Sequence, residues 1–264
     1  MENPSDPAKP SLEEQPTYVR PPGLEFAMGI ALSVFVFVVF FLVQSFVFFA
    51  GLIERSPDLA PHGFSIALFE EPAFHDRMQE LIFHGDLVAH EALWSGLIGS
   101  IIILVAVALW KRRNMRTFLG LYPPRWKAVF KWLVIFLLLG AAIEILTRYT
   151  TLFESDFMAR ILATSSDRFL LWLGVGLMAP LFEELLLRGL LFGSIRHLYD
   201  EHITVAVTAG VFAVMHQQYE IPILMMILAM GVVLGYARSR SGSIYVPVLL
   251  HVLNNTASVL LPVT

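Results

Sequence analysis

Apolar residues occupy positions 24–53 almost without interruption. The hydrocarbon core of a bilayer is about 30 Å thick, so about 20 consecutive apolar residues cross it as an α-helix. This stretch is long enough for a tilted transmembrane helix and too long for the core of a signal peptide. Further apolar stretches follow at about 87–110, 128–146, 169–195, 203–216, 221–236 and 244–261. The pattern predicts an all-α protein, a polytopic transmembrane helical bundle with about seven membrane helices.

The composition agrees with this prediction and excludes several classes of protein. Hydrophobic residues make up 56% of the 264 residues and charged residues only 15%, which is more apolar than a water-soluble domain of this length. Cysteine is absent, which excludes a disulfide framework, a thiolate nucleophile and a Cys-ligated metal site. The net charge is -4, and the sequence contains no basic stripe and no phosphate-binding glycine motif. The expected partner is therefore the lipid bilayer and not nucleic acid.

Three regions follow from the distribution of proline, charge and apolar residues. Residues 1–23 contain six prolines among polar side chains and lack the basic start of a signal peptide, which predicts a disordered N-terminal tail. Residues 24–165 carry the first membrane helices and their loops, including an amphipathic segment at 74–83 that is expected to lie at the bilayer interface. Residues 166–264 form a helical core that holds most of the polar groups found within apolar stretches.

The basic residues predict the orientation. They cluster directly after the second helix, at Lys111, Arg112, Arg113, Arg116, Arg125, Lys127 and Lys131. If the N-terminal tail and this loop are cytoplasmic, twelve of the eighteen Lys and Arg residues lie inside, five lie outside, and Arg188 lies within the fourth helix. The N-terminus is therefore predicted to be cytoplasmic and Thr264 to lie on the opposite side.

Polar side chains at matching depth mark the candidate site. An ionisable residue near the middle of a span costs about 2.5–3.5 kcal/mol, so each one calls for an explanation. At about 1.5 Å per residue, Glu183, His216 and His251 all lie about 16–21 Å from the cytoplasmic ends of their helices. Three separate helices thus bring a carboxylate and two imidazoles to a similar level.

The fourth helix contains two adjacent glutamates with different neighbours. Glu184 and Arg188 are four residues apart and can form an ion pair that lowers the cost of inserting both. Glu183 points about 100° away and has no opposite charge at helical spacing, so it can face a wet cavity and act as a general base. The alternative is that both glutamates only make polar contacts that specify helix packing.

The fifth and seventh helices supply the other groups. Phe212 lies one turn before His216 and can form a wall beside its imidazole, and His251 shares a helix face with Asn255. Taken singly, these residues are typical of interfacial or interhelical hydrogen bonding. Taken together with Glu183, they supply a base, a proton carrier and donors for an oxyanion.

These segments resemble a known set of motifs. Glu183-Glu184-x-x-x-Arg188, Phe212-x-x-x-His216 and His251-x-x-x-Asn255 occur in the order typical of the CPBP family of intramembrane endopeptidases, which includes type II CAAX prenyl proteases and bacterial Abi proteins. The resemblance covers about residue 169 to the C-terminus, so that 166–264 is interpreted as a CPBP-like catalytic core. It implies that Glu183 activates water with help from His216, and that His251 and Asn255 position or stabilise the oxyanion. It also implies that Glu184 and Arg188 form a structural pair.

The sequence therefore predicts an intramembrane endopeptidase that hydrolyses a membrane-associated protein or peptide, with CAAX-type prenylated proteins as one candidate class. No cofactor is required in the favoured, glutamate-type mechanism. The alternative hydrolytic mechanism uses zinc bound by Glu183, His216 and His251. Two further alternatives are a transporter that relays protons through the same groups, although no internal repeat is visible, and a non-catalytic immunity-type partner protein.

Overall fold

The computed structural model describes residues 21–150 and 156–261, and this part of the chain is helical with no β-strand. Five of its helices are long and apolar enough to cross a membrane, and two shorter apolar helices accompany them. The prediction of a polytopic helical bundle is confirmed. The helices of at least eight residues are α1 (Pro22–Arg55), α2 (Pro72–Leu81), α3 (Gly85–Lys111), α4 (Trp126–Tyr149), α5 (Phe157–Thr164), α6 (Arg168–Ile195), α7 (Glu201–Val214), α8 (Ile221–Ser241) and α9 (Tyr245–Leu260).

Several helix bounds differ from the predicted ones. Residues 1–20 of the predicted tail lie outside the described residues, and its last two residues already belong to α1. Helix α8 continues to Ser241, where Gly242 adopts a left-handed conformation (φ 70°) that ends the helix. Helix α7 ends at Val214, so His216 lies in the turn that follows the helix and does not close it, contrary to the prediction.

The bundle has two chemically distinct ends. At the basic end, which contains the 111–131 segment, Lys111 of α3 pairs with Glu25 of α1 at 3.0 Å. At the opposite, acidic end, the backbone N–H of Gly85 donates to Thr164 Oγ1 at 2.8 Å, which ties α3 to α5. The start of α1 and the segment 111–131 therefore lie at one end of the bundle, as the predicted topology requires. That this end is cytoplasmic stays a prediction.

Helix α6 lies at the centre, packed against α1 and α3. Gly96 and Gly99 of α3 face α6, where a Cβ atom would approach the Met178 backbone and the Phe182 ring. Small residues at such positions let helices approach closely when no aqueous hydrophobic effect drives them together. On the other side, Phe182 stacks on Phe40 of α1 with ring centroids 4.3 Å apart. The residue that follows Phe182 is Glu183, so these contacts fix the height and rotation of the candidate base.

Helix α6 is not a regular α-helix. Two segments, Trp172–Met178 and Leu185–Leu191, have π-helical hydrogen bonding, and Pro180 lies between them. In the first segment the Ala179 N–H donates to the carbonyl five residues earlier. The next residue, Pro180, has no N–H, so the carbonyl of Val175 lacks a partner within the helix. Pro180 therefore leaves a carbonyl group that another helix can bind.

Candidate active site

Glu184 is the hub of a buried polar cluster in the middle of α6. Its Oε1 atom accepts a hydrogen bond from Arg188 Nη1 at 2.9 Å and from His251 Nδ1 at 3.0 Å. The side chains of all three residues are at most 1% exposed. Arg188 also donates through Nη2 to the backbone carbonyl of Gly231 in α8, at 2.9 Å. The predicted ion pair is present, and it also links α6 to α8 and α9, because its members bind groups on both helices.

The bond to Glu184 determines which nitrogen of His251 carries a proton. A carboxylate paired with a guanidinium only accepts hydrogen bonds, so Nδ1 of His251 donates. The other ring nitrogen, Nε2, lies 3.8 Å from Glu183 Oε2. As a neutral imidazole His251 can only accept a hydrogen bond at Nε2, and it donates there only as the imidazolium. His251 can therefore stabilise an oxyanion only after it has gained a proton.

Glu183 is the accessible carboxylate of the site. Its side chain is 13% exposed, whereas that of Glu184 is fully buried. Its Oε2 atom has no hydrogen-bond partner among the described residues. The sequence analysis found no opposite charge for Glu183 on its own helix and placed His251 in the same site, and the structure brings the two side chains to 3.8 Å. Glu183 thus combines an unused oxygen atom with a nearby proton acceptor, which suits a group that takes a proton from water.

Phe212 forms a common wall for three of the polar groups. Its buried ring lies 4.8 Å from the His216 ring, 5.3 Å from the His251 ring and 4.8 Å from the guanidinium of Arg188. The sequence predicted only the contact with His216. A ring in this position holds both imidazoles and stabilises the buried cation through its π face.

His216 is held by the end of α7. Its Nδ1 atom lies 2.8 Å from the Phe212 carbonyl oxygen, so Nδ1 donates and Nε2 is left to exchange protons with solvent or substrate. Among the described residues, His216 has no direct hydrogen bond or ion pair with Glu183. A water molecule or a substrate group between them is therefore needed for any proton transfer.

One amide hydrogen of Asn255 is bound to the protein backbone. Its Nδ2 atom donates to the Val175 carbonyl at 3.0 Å, which satisfies the acceptor that Pro180 leaves unpaired. Its Oδ1 atom accepts a weaker bond from Asn254 Nδ2 at 3.3 Å. One of the two amide hydrogens of Asn255 remains available to a substrate, and Asn254 supports Asn255 without replacing it.

The zinc alternative requires Glu183, His216 and His251 to converge on one ion. Among residues 21–150 and 156–261, no group of three or more His, Asp or Glu side chains is arranged to hold a metal ion. The Nδ1 atom of His251 is occupied by Glu184, and the distance from its Nε2 to Glu183 is 3.8 Å. These contacts leave Nε2 of His251 without a bond, and the zinc alternative at Glu183, His216 and His251 stays a prediction.

Arg238 is a supporting residue that the sequence analysis did not identify. It is 1% exposed, and its Nε atom donates to the carbonyl of Arg188 at 2.9 Å. This carbonyl belongs to the second π-helical segment of α6. Its only sequence signal is an arginine in the last turn of an apolar helix, where topology alone explains a basic residue.

The fold and the site together define the class of a polytopic helical membrane protein with a buried carboxylate–histidine cluster. Within it, residues 165–257 match the family model of the type II CAAX prenyl endopeptidases, described as Rce1-like. The match spans every residue of the cluster and confirms, for this part of the chain, the resemblance that the three motifs indicate.

One curated relative is an uncharacterized 24.3 kDa protein of Escherichia coli, 33% identical over 109 residues. The match covers 39% of this chain and 50% of the relative, so the chain spans half the length of that protein. No solved structure matches.

Proposed function

We propose that this protein is an intramembrane endopeptidase that hydrolyses a peptide bond in a membrane-associated protein. The observation that carries the proposal is Glu183, a partly exposed glutamate whose Oε2 atom is buried, makes no hydrogen bond among the described residues and lies 3.8 Å from a histidine held by a fully buried ion pair. The match of residues 165–257 to the type II CAAX prenyl endopeptidase model supports the same reaction.

In the proposed mechanism Glu183 removes a proton from a water molecule while the water oxygen attacks the carbonyl carbon of the scissile bond. The carbonyl π electrons move to its oxygen, and the resulting oxyanion receives hydrogen bonds from Asn255 and from His251, to which Glu183 passes the proton taken from water and which holds it until the amine leaves. Collapse of this intermediate breaks the C–N bond, and the leaving amine takes up the proton that the water lost. His216 assists by exchanging protons between Glu183, water and substrate.

The energetic cost of burying these charged groups favours a catalytic role over a role in helix packing alone. A buried charged cluster costs several kcal/mol of desolvation, and a pair of apolar residues of similar size would stabilise the bundle at least as well. The free oxygen of Glu183 adds to that cost without adding stability. A hydrolase needs such an unpaired base, because the partner it awaits is a water molecule.

The proposed substrate is a protein anchored at or in the bilayer, and CAAX-type prenylated proteins are the class that the family description favours. Within the bilayer a peptide bond can be presented to the site only where the backbone is unwound and shielded from lipid. We propose a mechanism without a metal ion, since Glu183 supplies the base and Asn255 and His251 supply the donors.

The test compares purified, reconstituted wild-type protein with Glu183→Gln on a membrane protein substrate, with products identified by mass spectrometry. A substrate is found as a protein that accumulates uncut in the membrane proteome of cells carrying Glu183→Gln. We expect cleavage to fall by about 10²-fold or more with an unchanged melting temperature. The matched control is Glu144→Gln, which changes an exposed glutamate of α4.

Retained cleavage by Glu183→Gln would remove its role as the base. Proton flux in proteoliposomes, lost in the same variant without any cleavage by the wild type, would instead support the transporter interpretation.

A further inference from the structure

The turn between α7 and α8 places a tyrosine beside the candidate site. The planes of the Tyr219 and His216 rings make an angle of 20°, and their centroids lie 6.5 Å apart. The backbone N–H of Tyr219 donates to the His216 carbonyl at 3.0 Å. On its other side, the ring of Phe157 in α5 contacts it edge-on at 5.0 Å. The aromatic ring is therefore held between the candidate site and the helix that covers the acidic end.

The hydroxyl of Tyr219 is unused. Within residues 21–150 and 156–261 it makes no hydrogen bond, although the ring is half-buried. Burial and the negative charge of the nearby Glu183 raise the pKa of the Tyr219 phenol above its ordinary value. The group is thus a protonated donor on a ring that stacks on His216, with no hydrogen-bond partner among the described residues.

The site itself is short of such donors. Asn255 has already used one amide hydrogen on the Val175 carbonyl, and His251 has used its Nδ1 hydrogen on Glu184. In the neutral imidazole, Nε2 of His251 has no hydrogen to donate. The oxyanion of an acyl transfer is ordinarily stabilised by two or more donors that are in place before the reaction. Before the reaction, while His251 is neutral, Asn255 alone provides one.

From these contacts we infer that Tyr219 is a further catalytic residue, whose hydroxyl donates a hydrogen bond to the oxyanion formed from the scissile carbonyl. The inference rests on the proposed peptidase function. The phenol keeps its proton throughout, so the step adds a hydrogen bond and no proton transfer. Asn255 of α9 and Tyr219 of the α7–α8 turn would then each donate a hydrogen bond to the oxyanion.

The decisive variant is Tyr219→Phe, because it removes only the hydroxyl and keeps the ring contacts with His216 and Phe157. We expect kcat to fall by about 10²-fold, as for the loss of one oxyanion donor, with KM changed by less than about threefold and the melting temperature unchanged. The matched control is Tyr199→Phe, a hydroxyl deletion at the opposite end of the bundle, where the Tyr199 ring contacts Phe26. This control is expected to retain full activity.

A second variant, Tyr219→Ala, separates the hydroxyl from the ring. If Tyr219→Phe is as active as the wild type and only Tyr219→Ala loses activity or stability, the ring packs against His216 and the inference is overturned. The same holds if Tyr219→Phe raises KM at constant kcat.

Glu183→Gln is assayed in parallel. Loss of cleavage in Glu183→Gln with full cleavage in Tyr219→Phe overturns the role of the tyrosine alone, whereas a wild-type protein without peptidase activity overturns both proposals.

Discussion

Glu184 and His251 are 67 positions apart in the chain, yet Glu184 Oε1 accepts a hydrogen bond from His251 Nδ1 at 3.0 Å in the buried centre of the bundle. Glu184 therefore does more than neutralise Arg188, because it also fixes the orientation and the tautomer of the imidazole beside Glu183. Such a carboxylate–imidazole pair keeps the hydrogen on Nδ1 and directs the second ring nitrogen toward Glu183. Of the two adjacent glutamates, Glu184 holds His251, and Glu183 is the one that takes a proton from water in the proposed mechanism.

Removal of Arg188 should destabilise the protein. Arg188→Ala leaves Glu184 buried without its guanidinium partner, and we expect a loss of roughly 3–5 kcal/mol of unfolding free energy. The measurement is thermal melting of purified protein in detergent together with its abundance in membranes. The matched control is Arg148→Ala, whose exposed pair with Glu144 at 3.0 Å is worth less than about 1 kcal/mol. Equal melting temperatures for the two variants would contradict the central role of the buried ion pair.

Removal of the Asn255 amide should affect turnover more than folding. Asn255→Ala deletes a donor to the oxyanion, and we expect kcat to fall by about 10²-fold or more. It also leaves the Val175 carbonyl unpaired, so unfolding free energy should fall by about 1–3 kcal/mol.

The control for this prediction is Asn254→Ala, which removes only a 3.3 Å bond to Asn255 Oδ1 and should lose much less activity. Similar kcat values for the two variants would show that Asn255 does not contact the reacting carbonyl.

Active protein should not depend on bound zinc. We expect protein purified in the presence of a chelator to cleave substrate and to carry well under one zinc per chain, as measured by elemental analysis. If the protein carries one zinc per chain, and activity is lost when the zinc is removed and restored when it is added back, the metal mechanism is favoured. That result would leave the assignment of the site to proteolysis intact.

The predicted topology can be tested by cysteine labelling, because the natural chain contains no cysteine. We expect Ser5→Cys and Thr117→Cys to react with a membrane-impermeant maleimide only after the cytoplasmic membrane is opened. Thr264→Cys should react in intact cells. Labelling of all three variants from the same side would show that the chain crosses the membrane an even number of times.

The amino-acid sequence alone determined the features that depend on local spacing. The lengths of the apolar stretches predicted the helices, because a bilayer sets the number of residues that cross it. The pairing of Glu184 with Arg188 was equally predictable, since residues four apart on a helix are neighbours whatever the rest of the fold does. The motifs that resemble the CPBP family also placed Glu183, His216 and His251 in one site before any contact was known.

Only the tertiary structure decided which hydrogen bonds join the helices at that site. The bonds from His251 to Glu184, from Asn255 to Val175 and from Arg238 to Arg188 join different helices. They depend on how each helix is rotated and how closely it packs, which no spacing along one helix specifies. The bond from Asn255 uses the Val175 carbonyl, which Pro180 leaves unpaired in the first π-helical segment of α6. Tyr219 likewise comes close to the site only because α7 ends at Val214 and the following turn folds back against α5.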